Sequence, residues 1–597
     1  MCLTPLRAIE GHQLADHSVD RRMIMLALMA TVVGTGGALG AWVLVKLIAI
    51  ATNIFWFGRL SADPSVITDA SVGWLVAIIP VIGSLIVGLM ARFGSDKIRG
   101  HGIPEAIETI LFGESRLSLK VALLKPLSSA ISIGSGGPFG AEGPIIMTGG
   151  AIGSLFAQCF HLSAAERKTL LVAGAAAGMT AIFGTPLAAI LLAVEVLLFE
   201  WKPRSFVPVL VAALVALAWR PWLIGSGPMF PMAAPTPGAG WALFASAGIG
   251  VIVGLEASLL STALYRIEDL FHRLPCHWMW WPALGAVVVG MGGLIDAHVL
   301  GAGYASIGAI LNGSLALRVI AALLVVKAIV WLVALGSGTS GGVLAPLLIL
   351  GGAAGFLLGQ FLPGDPGFWA MIGMAGIMSG AMRAPMTGAI FAVELTGHFS
   401  AVPCTIAAAG GAYAISVLLM RRSILTEKIA RRGRHILQEY TVDPLDLLQA
   451  GQIMTRAPAT LPGGMTVAAA VSFFATKAVH RSYPVVDPEN RLLGMVSRTD
   501  ALRWQSDRLA DLTSLSDAIS DAMQPVAYPD TPSGVVADLI IESGIGRIPI
   551  IEPETRRVLG ILSRQDLLKT RSANRQAETG RARYVGLGTG GPHTKPA

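Results

Sequence analysis

One glutamate, Glu142, stands in a stretch made otherwise of small, apolar and proline residues: positions 134–153 read GSGGPFGAEGPIIMTGGAIG. Two kinds of neighbour give that carboxylate chemistry. Backbone N–H groups at a helix start have no intrahelical acceptor, glycines let backbone approach a ligand closely, and Pro144 stands where a missing N–H costs nothing. Such a row of donors is a site for an anion. A carboxylate and a halide would compete for one place, which is the chemistry of a gate. The predicted substrate is a small anion.

The same chemistry is written twice. Positions 336–355 (GSGTSGGVLAPLLILGGAAG) align without a gap on 134–153 at an offset of 202. Gly140, Gly143-Pro144 and Gly149-Gly150 face Gly342, Ala345-Pro346 and Gly351-Gly352. A second pair matches at an offset of 199: Pro186 to Glu195 (PLAAILLAVE) against Pro385 to Glu394 (PMTGAIFAVE). Internal repetition of this kind describes two related halves whose broken helices meet near the bilayer midplane around a ligand. Gly-rich membrane segments also serve as close-packing surfaces between helices, and composition alone leaves both readings open. Glu142 favours the first, because an ionisable group at bilayer depth is expensive and by default functional. Glu195 and Glu394, related by the repeat, point instead to a shared structural role such as hydrogen bonding to neighbouring backbone.

The elements that must position these residues are membrane helices. Of 597 residues 53% are hydrophobic and 14% charged, with 70 glycines and 34 prolines, and only 20 of the 37 acidic residues precede position 436. Collagen-like, disordered and small disulfide-stapled classes are excluded. Apolar runs at 23–47, 74–90, 206–217, 243–260, 321–335 and 401–420 approach or reach the length of a span. Ten or more such segments are expected, some broken by Gly and Pro as in a transporter or pore. The net charge of +7 comes from basic clusters beside apolar runs, notably Arg421-Arg422 to Arg434. That is a topology signal placing those flanks in the cytoplasm, not a nucleic-acid surface. The tryptophans at 278, 280 and 281 fit an interfacial belt. Cys2, Cys159, Cys276 and Cys404 lack metal or disulfide-framework spacing, and the polar N-terminus lacks the order of a signal peptide.

At Gly140-Ala141-Glu142-Gly143-Pro144 the chain resembles the CLC family of chloride channels and proton-coupled chloride transporters, whose G-x-E-G-P segment carries a gating glutamate. Gly342-Val343-Leu344-Ala345-Pro346 is similar to its G-x-F-x-P segment with Leu for Phe, and Gly100-His101-Gly102-Ile103-Pro104 to its G-S-G-I-P segment with His for Ser. The resemblance implies an all-α polytopic membrane protein with two inverted repeats and broken helices. It implies a homodimer in a plasma (inner) membrane, each subunit having its own anion pathway. Backbone at Val343, Leu344 and Ala345 would coordinate a central anion, and backbone at Ala141, Glu142 and Gly143 an outer one, with His101 and Gly102 also lining the path. Leu425 falls where the family has a pore tyrosine. Val196 falls where classical exchangers carry a proton-transfer glutamate, which leaves channel against exchanger open. Two readings of His101 stand: a neutral loop histidine, or one whose protonation adds a donor and a positive charge near the anion.

Beyond Arg434 the pattern becomes mixed α/β. Positions 483–488 (YPVVDP) recur as 548–553 (IPIIEP), and 493–500 (LGMVSRTD) as 559–566 (LGILSRQD). Each copy reads as an α-β-β-α unit with helical runs at 467–475 and 533–541, and the two should pair to bury their sheets. They resemble a tandem of CBS domains, which makes Ser497, Asp500, Ser563 and Asp566 candidates for AMP, ADP or ATP; the alternative is that they cap the last helix of each unit. The expected organisation is a cytoplasmic N-terminus 1–20, a membrane domain 21–432 with halves at 21–225 and 238–432, and a linker 433–448. CBS units at 449–505 and 515–570 and a disordered tail 571–597 follow. No cofactor beyond chloride as ligand is required. A zinc protease would need His-Glu-x-x-His and a P-loop pump its Gly-Lys-Ser/Thr, and neither occurs. An exporter of fluoride or nitrate, or a CBS-regulated divalent cation transporter lined by acids, stand as alternatives.

Overall fold

The computed structural model describes residues 22–113, 115–232, 240–434, 445, 448–506, 513–519 and 525–579. The expected N-terminal segment 1–20, most of the linker 433–448, most of the loop joining the two halves and positions 580–597 lie outside them. The chain forms two compact units that divide near residue 440.

The first unit is helical. Seven helices among the described residues are long and apolar enough to cross a membrane: Arg22–Phe57, Gly73–Phe93, Pro203–Leu223, Trp241–His272, Trp278–Ile295, Leu317–Gly336 and Phe399–Leu419. With the apolar helices Glu142–Gln158, Ala164–Phe183, Leu344–Gly359 and Pro366–Met382 they make up the ten or more apolar segments expected. Only about a third to a half of each span is buried, and the remainder presents large apolar side chains such as Leu28, Trp222, Phe244 and Leu418 outward, as a lipid-facing surface requires. The other apolar segments form helices with most of their length inside the protein. Helix Glu142–Gln158 and its repeat mate Leu344–Gly359 are almost wholly buried, as are Ala164–Phe183 and Pro366–Met382. Hydropathy reports burial in protein and burial in lipid alike. The tryptophan group is also more than a belt: Arg99 lies over the Trp278 ring at 4.5 Å and near that of Trp281 at 5.8 Å, in cation–π geometry.

The two readings of the repeated glycines divide along the sequence. Gly149 and Gly174 sit so close that a Cβ on either would strike the other's carbonyl oxygen, and Gly351 and Gly373 repeat the arrangement. These are close-packing glycines. Gly140 and Gly342 do something else: the Gly342 N–H donates to the Gly140 carbonyl at 3.0 Å, in an antiparallel bridge between the halves. The two Gly-rich loops therefore meet where their helices begin.

The second unit holds two three-stranded sheets. Strands β2 (Leu461–Pro462), β3 (Ser482–Val486) and β4 (Leu492–Ser497) lie in that order, β2 parallel to β3 and β3 antiparallel to β4. The other sheet runs β1 (Thr455–Arg456), β6 (Val558–Ser563), β5 (Arg547–Ile551). Each sheet thus has a third strand beyond the two expected per copy. These extra strands are two residues long, too short to show an alternation, and β1 pairs Thr455 with Ile561 across the whole module. The copies do join: Val486 and Leu492 pack with Ile551 and Val558. Helices Val467–Thr476 and Ser533–Ser543 precede the hairpins. The closing helix Arg564–Thr579 runs nine residues into the stretch expected to be disordered, because nothing between Arg571 and Thr579 is Gly or Pro and so nothing breaks the turn.

Candidate anion site

Three backbone segments converge on Glu142. Gly100 pairs in parallel with Ser340, its N–H donating to the Thr339 carbonyl at 2.9 Å, and Gly140 pairs with Gly342. Each segment then turns directly into a helix: Ile103–Phe112, Glu142–Gln158 and Leu344–Gly359. The contacts leave no room for side chains. A Cβ on Gly143 would collide with the His101 carbonyl, and one on Gly102, whose φ is +87°, would lie 2.9 Å from the Gly143 carbonyl. Glycine at these positions is a requirement of close approach. Pro104, Pro144 and Pro346 fall in the opening turn of their helices, where the other N–H groups lack intrahelical acceptors and the helix dipole is positive.

The Glu142 side chain is fully buried, with 0% exposure. Its carboxylate lies against the opposite half: a Cβ on Gly342 would be 2.7 Å from Oε2, and the backbone N–H groups of Glu142 itself and of Ala345 face the carboxylate. The Tyr304 hydroxyl donates to Oε1 at 3.2 Å, while Oε2 has no hydrogen-bond partner among the described residues. A buried carboxylate oxygen without a donor is costly.

Of the residues singled out from sequence, His101, Gly102, Ala141, Glu142, Gly143, Val343, Leu344 and Ala345 lie on these three converging segments, all of them buried. His101 is 3% exposed and its Nδ1 has no partner among the described residues. Its charged neighbours are of both signs: Lys428, Lys125 and Arg432 on one side of the balance and Glu105 on the other. Leu425 is buried at the N-cap of helix Thr426–Arg431, which joins the Ile103 helix through the Lys428–Glu105 ion pair at 2.8 Å. Val196 is buried in the π-helical turn Ala193–Leu198, one residue past Glu195.

The repeat-related glutamates cap each other's half. Glu195 accepts from the N–H groups of Met386 and Thr387 (3.2 and 2.8 Å) and from the Thr387 hydroxyl (2.6 Å). Glu394 accepts from the N–H groups of Leu187 and Ala188 (3.0 and 2.8 Å). Each carboxylate thus satisfies the start of the helix in the other half that carries its mate.

Three functional neighbours were missed in the sequence. Tyr304 touches Glu142 directly. Lys125 and Lys327, 1% and 0% exposed, each gather two backbone carbonyls. Lys125 donates to Ile98 and Gly100 at 2.8 Å and to the Ser340 hydroxyl at 3.1 Å; Lys327 donates to Val299 and Gly301 at 2.8 and 2.9 Å. The two lysines are related by the same offset of 202 that relates the Gly-rich segments, and that signal could have found them. Tyr304 has no such mark.

In the second unit the Ser and Asp candidates close on themselves. The Ser497 hydroxyl and N–H both donate to the Asp500 carboxylate (2.6 and 2.9 Å), and Ser563 and Asp566 repeat this at 2.6 and 2.9 Å. This is helix capping, and the second oxygen of Asp500 takes a further contact from Arg503 at 3.4 Å.

A family model described as "Voltage gated chloride channel" matches residues 82–417, and a CBS domain model matches 450–507 and 519–573. The chain is 30% identical over 431 residues to the voltage-gated ClC-type chloride channel ClcB of Escherichia coli O17:K52:H18, spanning 69% of this chain and 100% of that one. It is 27% identical over 387 residues to a putative ClcB-like chloride channel protein of Ralstonia nicotianae, spanning 63% and 90%. Among solved structures, a slow cyanobacterial Cl−/H+ antiporter superposes with a TM-score of 0.60 at 20% identity over 70% of this chain and 99% of that one. A eukaryotic CLC transporter superposes with a TM-score of 0.57 at 19% identity over 91% and 98%. A CLC-type fluoride/proton antiporter gives 0.59 at 20% identity over 68% and 98%.

Proposed function

The chain belongs to the voltage-gated chloride channel (CLC) family and carries a C-terminal CBS pair, and from that premise we propose that it conducts chloride or a similar small anion with Glu142 as the gate. One observation carries the reading: a buried carboxylate spans the gap between the starts of two repeat-related helices, facing backbone donors from both halves. In this reading the N–H groups of Val343, Leu344 and Ala345 hold a central anion. Those of Ala141, Glu142 and Gly143 hold an outer one once the carboxylate swings away. Backbone donors replace hydration water without a fixed positive charge that would trap the ion.

Two such subunits form the functional dimer, each with its own pathway, in the plasma (inner) membrane. The arginine-rich ends of the spans and the CBS module face the cytoplasm. Adenine nucleotides bind the CBS pair at Asp500 and Asp566 and modulate transport. Val196 supplies no proton acceptor where classical exchangers have one, which favours passive conduction. Purified protein in liposomes, followed with chloride and pH electrodes together, tests the proposal. Sustained chloride flux without proton movement is the expected result, uphill proton movement driven by a chloride gradient makes the protein an exchanger, and absence of any chloride flux refutes the reading.

A further inference from the structure

Glu142 is held from the far half of the protein. Tyr304 opens helix Tyr304–Leu311, and its hydroxyl makes two bonds at once. It accepts from the Ala141 N–H at 3.0 Å and donates to Glu142 Oε1 at 3.2 Å. The ring is fixed edge-on to Phe183 (centroids 6.3 Å, 79°) and tilted against Phe230 (6.2 Å), which leaves the hydroxyl little choice of direction. The loop before it is pinned as well, because Lys327 gathers the carbonyls of Val299 and Gly301.

This arrangement has a particular logic. A phenol has one proton to give, and here it goes to the carboxylate that blocks the path. Its lone pair takes up the Ala141 N–H, one of the donors that an outer anion needs. While Glu142 stays in place, the phenol therefore both steadies the block and hides a coordinating group. When Glu142 leaves, the phenol proton and the Ala141 N–H are both freed for an incoming anion. Tyr304 and Ala141 also line a cavity of about 460 Å³ together with Thr52, Ile182, Met229 and His298.

Resting on the reading of Glu142 as the gate, we infer that Tyr304 is its latch: a positioning residue whose hydroxyl holds the carboxylate across the path and occupies the Ala141 N–H until the gate moves. The bland alternative is a tyrosine that merely packs, its hydroxyl bonded because buried polar groups must be. The titratable neighbours are few. No charged side chain contacts the Glu142 carboxylate among the described residues; His298, paired with Asp296 at 2.7 Å, lies on the cavity wall, and Lys327 lies behind Gly303.

The test is a double-mutant cycle of wild type, Tyr304→Phe, Glu142→Ala and the double mutant, reconstituted in liposomes, with chloride flux read over a range of external pH. Tyr304→Phe keeps the ring and its packing and removes one oxygen. It should raise flux near neutral pH by roughly tenfold, the effect of losing one hydrogen bond to a charged group, and flatten the rise in flux on acidification. In the Glu142→Ala background the same change should give no rise in flux, because no carboxylate is left for the hydroxyl to hold. Equal effects in both backgrounds, or a fall in flux in the single mutant, overturn the latch while leaving the gate standing. Wild-type flux and pH profile in Glu142→Ala overturn the gate itself, so the two failures are told apart.

Discussion

Replacing Glu142 by alanine removes the one side chain proposed to contend with the anion, and the size of the effect follows from what holds it. Oε1 receives a hydrogen bond from Tyr304 at 3.2 Å, worth about 1.5–3 kcal/mol to a charged acceptor. The starts of the Glu142 and Leu344 helices add about 0.5–2 kcal/mol of dipole attraction. Burial at 0% exposure with Oε2 lacking a donor offsets roughly 1–3 kcal/mol of that gain. The closed arrangement is then favoured by about 1–3 kcal/mol, a factor of roughly ten to a hundred. Chloride efflux from liposomes, started by valinomycin and read with an electrode, should rise about tenfold or more at neutral pH in Glu142→Ala, up to the limit set by the open pathway. The sign with pH follows: protonating the wild-type carboxylate removes the charge that holds it, so wild-type flux climbs toward the mutant's as pH falls, while the mutant's stays flat. A Glu142→Ala protein with the wild-type rate and the wild-type pH profile would refute the reasoning.

Other residues give sharper contrasts. His101→Ser should leave the pH dependence of flux unchanged, because the imidazole is buried at 3% exposure, where a charge is costly; a profile that shifts would mean the histidine titrates during transport. Lys125→Met takes the ammonium away from the Ile98 and Gly100 carbonyls and should cost about 3 kcal/mol of stability, seen as a large drop in the thermal unfolding midpoint in detergent; an unchanged midpoint would show that water replaces the ammonium. A fragment spanning 436–580 should give heat with at least one of AMP, ADP and ATP in calorimetry, and Asp500→Ala with Asp566→Ala should abolish it. Silence with all three nucleotides would leave the Ser–Asp pairs as helix caps alone.

Much of the site could be read from residue spacing because symmetry doubles the signal. The offset of 202 places Gly140 opposite Gly342, and the structure bonds them. The offset of 199 relates Glu195 to Glu394, and each caps the other's helix. Lys125 and Lys327 carry the same repeat yet look, in a linear sequence, like two ordinary lysines beside apolar runs; only burial gives them meaning. Tyr304 has neither repeat nor motif, since its role depends on a contact 162 residues away. Which apolar runs face lipid was hidden for a related reason: the Glu142 and Leu344 helices are as apolar as those facing lipid, yet they are buried among other helices. In the CBS module, strands β1 and β2 escaped notice because two residues carry no period, and their pairing is decided by the partner strand.

The central claim concerns one place in space, where a carboxylate and an anion exclude each other among backbone N–H groups. Crystals of Glu142→Ala grown in bromide, measured at the bromine absorption edge, test it most directly. The account predicts an anomalous peak in the volume vacated by the Glu142 carboxylate, within hydrogen-bonding distance of the N–H groups of Ala141 to Gly143 or of Leu344 and Ala345, and none there in wild type under the same conditions. Bromide at that position in wild type with Glu142 unmoved, or no bromide there in the mutant, would contradict it.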